Sequence, residues 1–271
     1  LERLKFVTSY PKDMTEDLLK TIRDYPKCSP YLHVPAQSGH DDVLKRMKRG
    51  YTVDDYLRMM DRIQEFLPNA TVSSDFIVGF SGETEEEFQA SVKLVERCRF
   101  KNSFIFQYSV RPGTKAAERL PDDVPKEVKA RRNQELLDVT DRIAYQDQHK
   151  LIGQTFDVLV EGPSKKAKRL AEQAVRLAAA LPIADQSAPT SSCGDQGSCG
   201  DHGTYEYEDA DAIEPSELVQ MTGRTHCDRI VVFDGNRRQA GQILPIKIDD
   251  ATSHTLIGRV KTVELVSIGG G

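Results

Sequence analysis

The run "ATVSSDFIVGF" (Ala70–Phe80) constrains this chain more than any other stretch. It is apolar nearly throughout at its centre. It is followed at once by "SGETEEEFQASVKLVERCR", in which Phe88, Val92 and Val95 recur at helical spacing. An apolar strand that leads straight into an amphipathic helix belongs to a parallel sheet covered by helices, because only covered strands dispense with polar alternation.

The same alternation extends on both sides. "LKFVTSYP" (Leu4–Pro11) reads as a first strand. "TEDLLKTIRDYP" reads as a helix capped by Thr15, with Leu18, Leu19 and Ile22 on one face. "YLHVPA" is the next strand. Helices are predicted over Asp41–Lys48 and from Thr52, the latter with Tyr56, Leu57, Met60 and Ile63 inward. "NSFIFQYSV" (Asn102–Val110) is the last strand. The predicted order is β-α-β-α-α-β-α-β, an α/β class. Its strand ends carry the unusual residues: Gln37 and Ser38, Gly79 and Gly82, Arg111 and Gly113. In parallel sheets and barrels the carboxyl ends of the strands are where ligands bind.

A second pattern begins after a long charged helix that runs to about Lys150. From Gly153 the period falls to two, in "TFDVLVEG", "RIVVFDG", "QILPIKIDDA" and "TLIGRVKTVELV". Short alternating strands between Gly, Asp and Asn turns predict a small antiparallel β-barrel. The expected division is residues 1–150 for the α/β part and 151–271 for the barrel, with an insertion at about 165–220. Within the insertion, "KKAKRLAEQAVRLAAAL" has helical character. The Gly-, Ser- and Asp-rich remainder is expected to be disordered.

Composition narrows the function. A length of 271 residues suits two domains, and a net charge of −5 argues against coating nucleic acid by bulk charge while leaving room for a local basic face. No apolar run approaches the roughly 20 residues of a membrane span, so no membrane partner is expected. Nothing at the start resembles a signal peptide. "LERLKF" lacks an initiator Met, which suggests a processed chain or a fragment. The five cysteines are scattered, which suits a reducing cytoplasm rather than a disulfide framework. None has the close three-cysteine spacing that holds an iron–sulfur cluster, and no residue is assigned to a metal.

Several residues invite two readings. "QSGHDDVLKRMKRGY" places Gly39 where backbone approaches a ligand, or where an ordinary turn is made; Lys45, Arg46, Lys48 and Arg49 form a basic face that is equally a solvated one. His33 suits a satisfied interior histidine better than a metal ligand. Asp75 lies in an apolar strand, where a carboxylate needs a structural partner or a ligand. Glu83, Glu85, Glu86 and Glu87 suit a helix N-terminus. Arg111 is placed either to hold a carboxylate or to fix its loop by a salt bridge. Cys193, Cys199 and His202 could recruit a metal, but three candidates at a spacing that is no recognised zinc pattern suit a disordered linker better.

"FVTSYP", "LHVPAQSGHDDVLKRMKRGYT", "SSDFIVGFSGETEEEF" and "YSVRPGTKAA" follow in the order seen in MiaB-type tRNA methylthiotransferases, radical S-adenosylmethionine enzymes that this chain resembles. "LVEGPSKK" and "MTGRTHCDRIVVFDG" resemble their TRAM domain, a small RNA-binding barrel. The resemblance covers nearly the whole chain except the insertion. It implies the C-terminal part of a radical-SAM (βα) barrel followed by TRAM. It also implies a transferase that places a methylthio group on a tRNA adenosine beside the anticodon, usually one already bearing an isopentenyl group.

In that family one iron–sulfur cluster cleaves S-adenosylmethionine to a 5′-deoxyadenosyl radical, a second 4Fe–4S cluster is linked to sulfur insertion, and another S-adenosylmethionine supplies the methyl. Relatives acting on a ribosomal protein typically carry His where Ser38 stands, so "QSG" favours the tRNA branch. The chain departs from the family in lacking the N-terminal cluster cysteines and the CxxxCxxC loop, and it is expected to be inactive alone. The resemblance makes Gln37, Ser38, Ser74, Asp75 and Arg111 the expected cofactor- or substrate-facing residues. Lys165, Lys166, Arg224 and Arg229 are the expected contacts to a tRNA anticodon stem-loop. The rival readings are a non-catalytic RNA-binding fragment, and a methylthiotransferase acting on another tRNA adenosine or on a ribosomal protein.

Overall fold

The computed structural model describes residues 1–6, 9–180 and 218–261, with side chains omitted at 177–180. Cys193, Cys199, His202 and the Gly/Ser/Asp-rich part of the expected insertion lie outside the described residues.

Two bodies follow one another along the chain. The first is a three-stranded parallel sheet in the order β1 (Tyr31–His33), β2 (Thr71–Val78) and β3 (Asn102–Gln107). Its helices are α1 (Glu16–Asp24), α2 (Asp41–Arg46), α3 (Val53–Phe66), α4 (Glu85–Cys98), the short α5 (Lys115–Arg119) and the long α6 (Lys126–His149). Side chains alternate across β2: Val72, Phe76 and Val78 enter a core with Leu32, Val34, Tyr56, Ile63, Phe88 and Phe100. The helices begin where their sequence says they must. Thr15, Thr52 and Thr84 each accept a hydrogen bond from the first turn, and Thr52 and Thr84 form full capping boxes with Asp55 and Glu87.

The expected first strand, "LKFVTSYP", is corrected. Among the described residues it is not a regular strand; Leu4 makes one parallel bridge to Cys28 and the Ser9 N–H donates to the His33 carbonyl. Pro11 begins a 3₁₀ turn and removes a donor just where pairing would continue.

The second body is a closed barrel of β4 (Thr155–Pro163), β5 (Val219–Arg224), β6 (Ile230–Gly235), β7 (Ile243–Ala251) and β8 (Thr255–Val260), in the order β4-β5-β6-β8-β7. Val158, Val160, Met221, Val231, Phe233, Ile246, Ile248 and Leu256 fill it. The expectation of a purely antiparallel barrel is corrected, because β6 and β8 pair in parallel. The chain crosses over through β7 between them, which local alternation does not reveal. The start of the expected insertion is ordered as α7 (Lys165–Ala180), N-capped by Ser164, whose Oγ accepts from the Ala167 N–H.

The two bodies meet at the amino end of the sheet, away from the carboxyl ends of its strands. Five successive carbonyls of the β5–β6 turn accept donors from the first body. Arg3 donates to those of Arg224 and Thr225, Ser29 to His226, Thr71 to Cys227 and Lys101 to Asp228. The Asp228 carboxylate also takes Lys5 at 2.6 Å, Lys101 at 3.1 Å and Arg224 at 3.1 Å. Burial alone would raise the Asp228 carboxyl, but the Lys5 hydrogen bond and the charges of Lys101 and Arg224 hold it below its usual range. Burial pushes the Lys101 ammonium down to about 8 in spite of Asp228.

Candidate functional site

The sheet has one face covered by helices and one open. Parallel register sets Ser73 beside Asn102, Asp75 beside Phe104 and Ile77 beside Phe106, and these side chains share the open face. Phe104 is 50% exposed and Phe106 55%, whereas Ile105 between them packs on the core. Beside Phe104 runs a chain of polar contacts, two hydrogen bonds and one close approach of a ring nitrogen to a carboxylate. Tyr31 Oη lies 2.6 Å from Ser73 Oγ, Ser73 Oγ 3.0 Å from His33 Nδ1, and His33 Nε2 3.2 Å from Asp75 Oδ1. Tyr31, Ser73 and His33 are hydrogen-bonded in series, and the Asp75 carboxylate stands beside the far nitrogen of the His33 ring. His33 is therefore a satisfied interior histidine, and it is the partner Asp75 requires.

The carboxyl ends of the strands surround a cavity of about 410 Å³ lined by Ile77, Phe106, Gln107, Tyr108, Arg111 and Thr114, among others. Arg111 is exposed there, and no ion pair joins it to an acid among the described residues; its loop is instead held by Thr114, which donates to the Arg111 carbonyl at 2.8 Å. Tyr108 Oη is buried without a partner. Gln37 sits at the adjacent strand end in a left-handed conformation (φ 67°), its backbone bridging Asp75 and Ile77.

The other expected residues are placed differently. Ser74 is fully buried on the helix side, where its Oγ accepts from the Ala36 N–H at 2.9 Å. It lies on the opposite face from Asp75, and Ser73 occupies the open face in its stead. Ser38 is buried and its Oγ accepts from the His40 N–H at 3.3 Å. Gly39 makes a close backbone approach: a Cβ there would stand 2.5 Å from the Ser91 Cα and closer still to the Ala90 carbonyl. This is where the β1–α2 turn presses on α4, with the Gly39 N–H bonded to Ser91 Oγ.

One residue of the basic face of α2 is structural. Arg46 holds Glu87 with two nitrogens, at 3.0 and 2.7 Å, while Lys45 pairs with Asp42. Burial alone would raise Glu87, but Arg46 and the Thr84 N–H together lower it. Glu83, missed in the sequence as more than a helix-start charge, is buried between the Gly79 N–H at 2.6 Å and Arg132 at 2.9 Å. Its burial raises its pKa despite both partners. It fixes the turn that ends β2.

The basic residues of the barrel are not brought together. Lys165 and Lys166 are exposed at the start of α7, beside the end of β4 where Pro163 pairs with Met221. Arg224 lies at the other end of β5, held by Glu161 and Asp228, and Arg229 lies in the turn that meets the sheet.

The open face and the strand-end cavity fit a nucleoside sulfonium such as S-adenosylmethionine: apolar and aromatic walls and an uncommitted guanidinium. An iron–sulfur cluster is a different matter. Cys28, Cys98 and Cys227 are dispersed, and burial pushes the Cys98 thiol up to about 12. Among the described residues, the group that could hold a metal is His40, Asp42 and Glu87, whose Glu87 is already taken by Arg46. These residues do not fit a cluster. No helix among the described residues is long and apolar enough to cross a membrane.

Comparison with known proteins places this site in context. The radical SAM superfamily matches residues 1–95. The tRNA-2-methylthio-N(6)-dimethylallyladenosine synthase of Rhodopirellula baltica is 63% identical over 269 residues, 99% of this chain and 47% of that protein. Proteins of the same name from Acidovorax sp. and Porphyromonas gingivalis are 37% and 34% identical over 100% and 95% of this chain, and 49% and 45% of their own lengths. The chain thus spans about half the length of the curated relatives it matches. Coproporphyrinogen III oxidase of Escherichia coli, a radical SAM enzyme, superposes with a TM-score of 0.44 at 21% identity, over 53% of this chain and 33% of its own.

Proposed function

The chain belongs to the family of these tRNA methylthiotransferases, and from that premise we propose that it forms the C-terminal part of a radical SAM barrel with a TRAM domain, in an enzyme that methylthiolates an N6-dimethylallyladenosine of tRNA beside the anticodon. The observation that carries this reading is the similarity along 99% of the chain to a relative so named, with the match covering every element of the open face. The two parts divide near Leu151, between α6 and β4. A five-stranded Greek-key barrel is an architecture that suits oligonucleotides, which supports a grip on the anticodon stem-loop through Lys165 and Lys166. The cytoplasm is the compartment where such a substrate is met.

S-adenosylmethionine, when bound, supplies the radical and the methyl group. In this reading Arg111 holds its carboxylate in two-pronged fashion, Gln37 orients its polar groups, and Ile77 and Phe106 shield it from water. Two 4Fe–4S clusters belong to this reading; their ligands come from residues other than those of this chain. The rival, a non-catalytic RNA-binding protein, leaves the uncommitted Arg111 without a purpose.

The experiment is deletion of the gene, with mass spectrometry of digested tRNA. The 2-methylthio form of N6-dimethylallyladenosine should vanish and its unthiolated precursor accumulate. The intact gene should restore it and an Arg111→Ala version should not. Unchanged tRNA modification in the deletion strain overturns the proposal.

A further inference from the structure

The long charged helix α6 begins with two cations that the fold buries. Lys129 is 5% exposed and Arg132 4%. Three residues apart, they share one face of the helix. Arg132 answers Glu83 at the end of β2, as described above. Lys129 serves a different place. Its stem fills the space beside Gly79, where a Cβ would collide with it. Its ammonium donates to the Tyr108 carbonyl at 3.1 Å and to the Asp122 carboxylate. Burying an ammonium is costly unless it is paired, and these two acceptors are its partners.

Tyr108 and Asp122 flank residues 109–121, the segment that carries Arg111 and the short helix α5. Nothing in α5 is buried. Among the described residues, the hydrogen bonds of the segment run within it: Thr114 donates to the Arg111 carbonyl, and the N–H groups of Ala117, Glu118 and Leu120 bond Thr114 and Ala116. The segment thus holds its own shape, and one buried ammonium ties together its two ends. We infer that Lys129 is a positioning residue: by closing the base of residues 109–121 it sets where Arg111 stands at the strand-end cavity. This inference rests on the reading of that cavity as the S-adenosylmethionine site, and adds to it a residue that does not line the cavity.

The test uses the full-length, cluster-loaded protein. Lys129→Met keeps a stem beside Gly79 and removes the charge and the donors. The Asp122 side chain is 35% exposed, so water can hydrate it once the ammonium is gone, and the fold is expected to stand. Lys129→Gln, with a shorter stem and a neutral donor, is made alongside. Arg111→Ala and the double variant Lys129→Met with Arg111→Ala complete a cycle. Two quantities are read. One is the rate of tryptic cleavage after Lys115 and Arg119, which are exposed within the segment. The other is affinity for S-adenosylmethionine, by titration.

Lys129→Met should speed cleavage within the segment about tenfold or more, the worth of one hydrogen bond to a charged group. It should weaken S-adenosylmethionine by about tenfold, because the segment then spends less time in its binding position. Lys129→Gln should fall between it and the unaltered protein. The double variant should bind no worse than Arg111→Ala by more than about twofold, since Lys129 acts through Arg111. Losses that simply add would make Lys129 an independent structural residue and overturn the inference. So would cleavage and affinity unchanged in Lys129→Met, or failure of both Lys129 variants to fold. If Arg111→Ala itself leaves S-adenosylmethionine affinity intact, the reading of the cavity fails and the inference falls with it.

Discussion

Asp228→Asn tests the joint between the sheet and the barrel. Asparagine has nearly the same shape and tolerates the left-handed backbone at this position (φ 65°), so the change removes charge and little else. Lys5, Lys101 and Arg224 lose their shared anion. Lys5 is 41% exposed and Arg224 33%, so water compensates and each contributes at most about 1 kcal/mol. Lys101, only 15% exposed, has a ceiling of its own. With a pKa already about 8, it sheds its proton at pH 7 once it has lost about 1.4 kcal/mol more. The expected loss of stability at pH 7 is therefore about 2–3 kcal/mol.

That ceiling gives the loss a distinctive pH dependence. The folded pKa of Lys101 lies below its ordinary 10.5, so the unfolded chain binds the extra proton and stability rises with pH between about 8 and 10.5. In the variant Lys101 is already neutral when folded at pH 7, so the rise begins lower. The gap between the two proteins should narrow by about 1.4 kcal/mol from pH 7 to pH 9.5. Urea denaturation at both pH values reads this directly. A loss below about 0.5 kcal/mol at pH 7, or a gap that widens with pH, refutes the reasoning.

Three further outcomes are expected. Gly39→Ala should destabilise the protein by about 1–3 kcal/mol in a thermal melt, because its Cβ meets the backbone of Ala90 and Ser91 rather than a movable side chain; an unchanged melt would mean that the turn is free to shift. Lys165→Ala with Lys166→Ala should flatten the salt dependence of stem-loop binding by up to about two log units per log unit of salt while leaving stability unaltered, whereas Arg224→Ala should reduce stability through Glu161 and Asp228.

The contrast between neighbouring residues shows what the chain reveals by itself. Helices α1, α3 and α4 are legible because each announces itself locally, through a threonine cap and apolar residues at helical spacing. The same holds for the order of the parallel strands and for the change of period after Gly153. These features depend on near neighbours, and the physics of a helix cap or a strand pleat needs only a few residues. Asp75 is legible as a charge within an apolar strand in want of a partner, although the fold leaves it partly exposed on the open face rather than buried.

What the chain does not announce is which group answers that want. Ser73 and Ser74 are adjacent and identical, yet one joins His33 on the open face and the other holds the Ala36 N–H among the helices. Strand alternation separates them, and it would have flagged Ser73 once Phe76 and Val78 were assigned to the core. Gly39 and Arg224 carry no such local clue. Their roles come from Ser91 and from Asp228 with Glu161, and Ser91 and Glu161 stand far away along the chain. The parallel pairing of β6 with β8 is likewise decided by barrel closure. Sequence determined the elements and the residue types needing partners; the tertiary fold chose the partners, because hydrogen bonds and ion pairs form between groups that packing alone brings within about 3 Å.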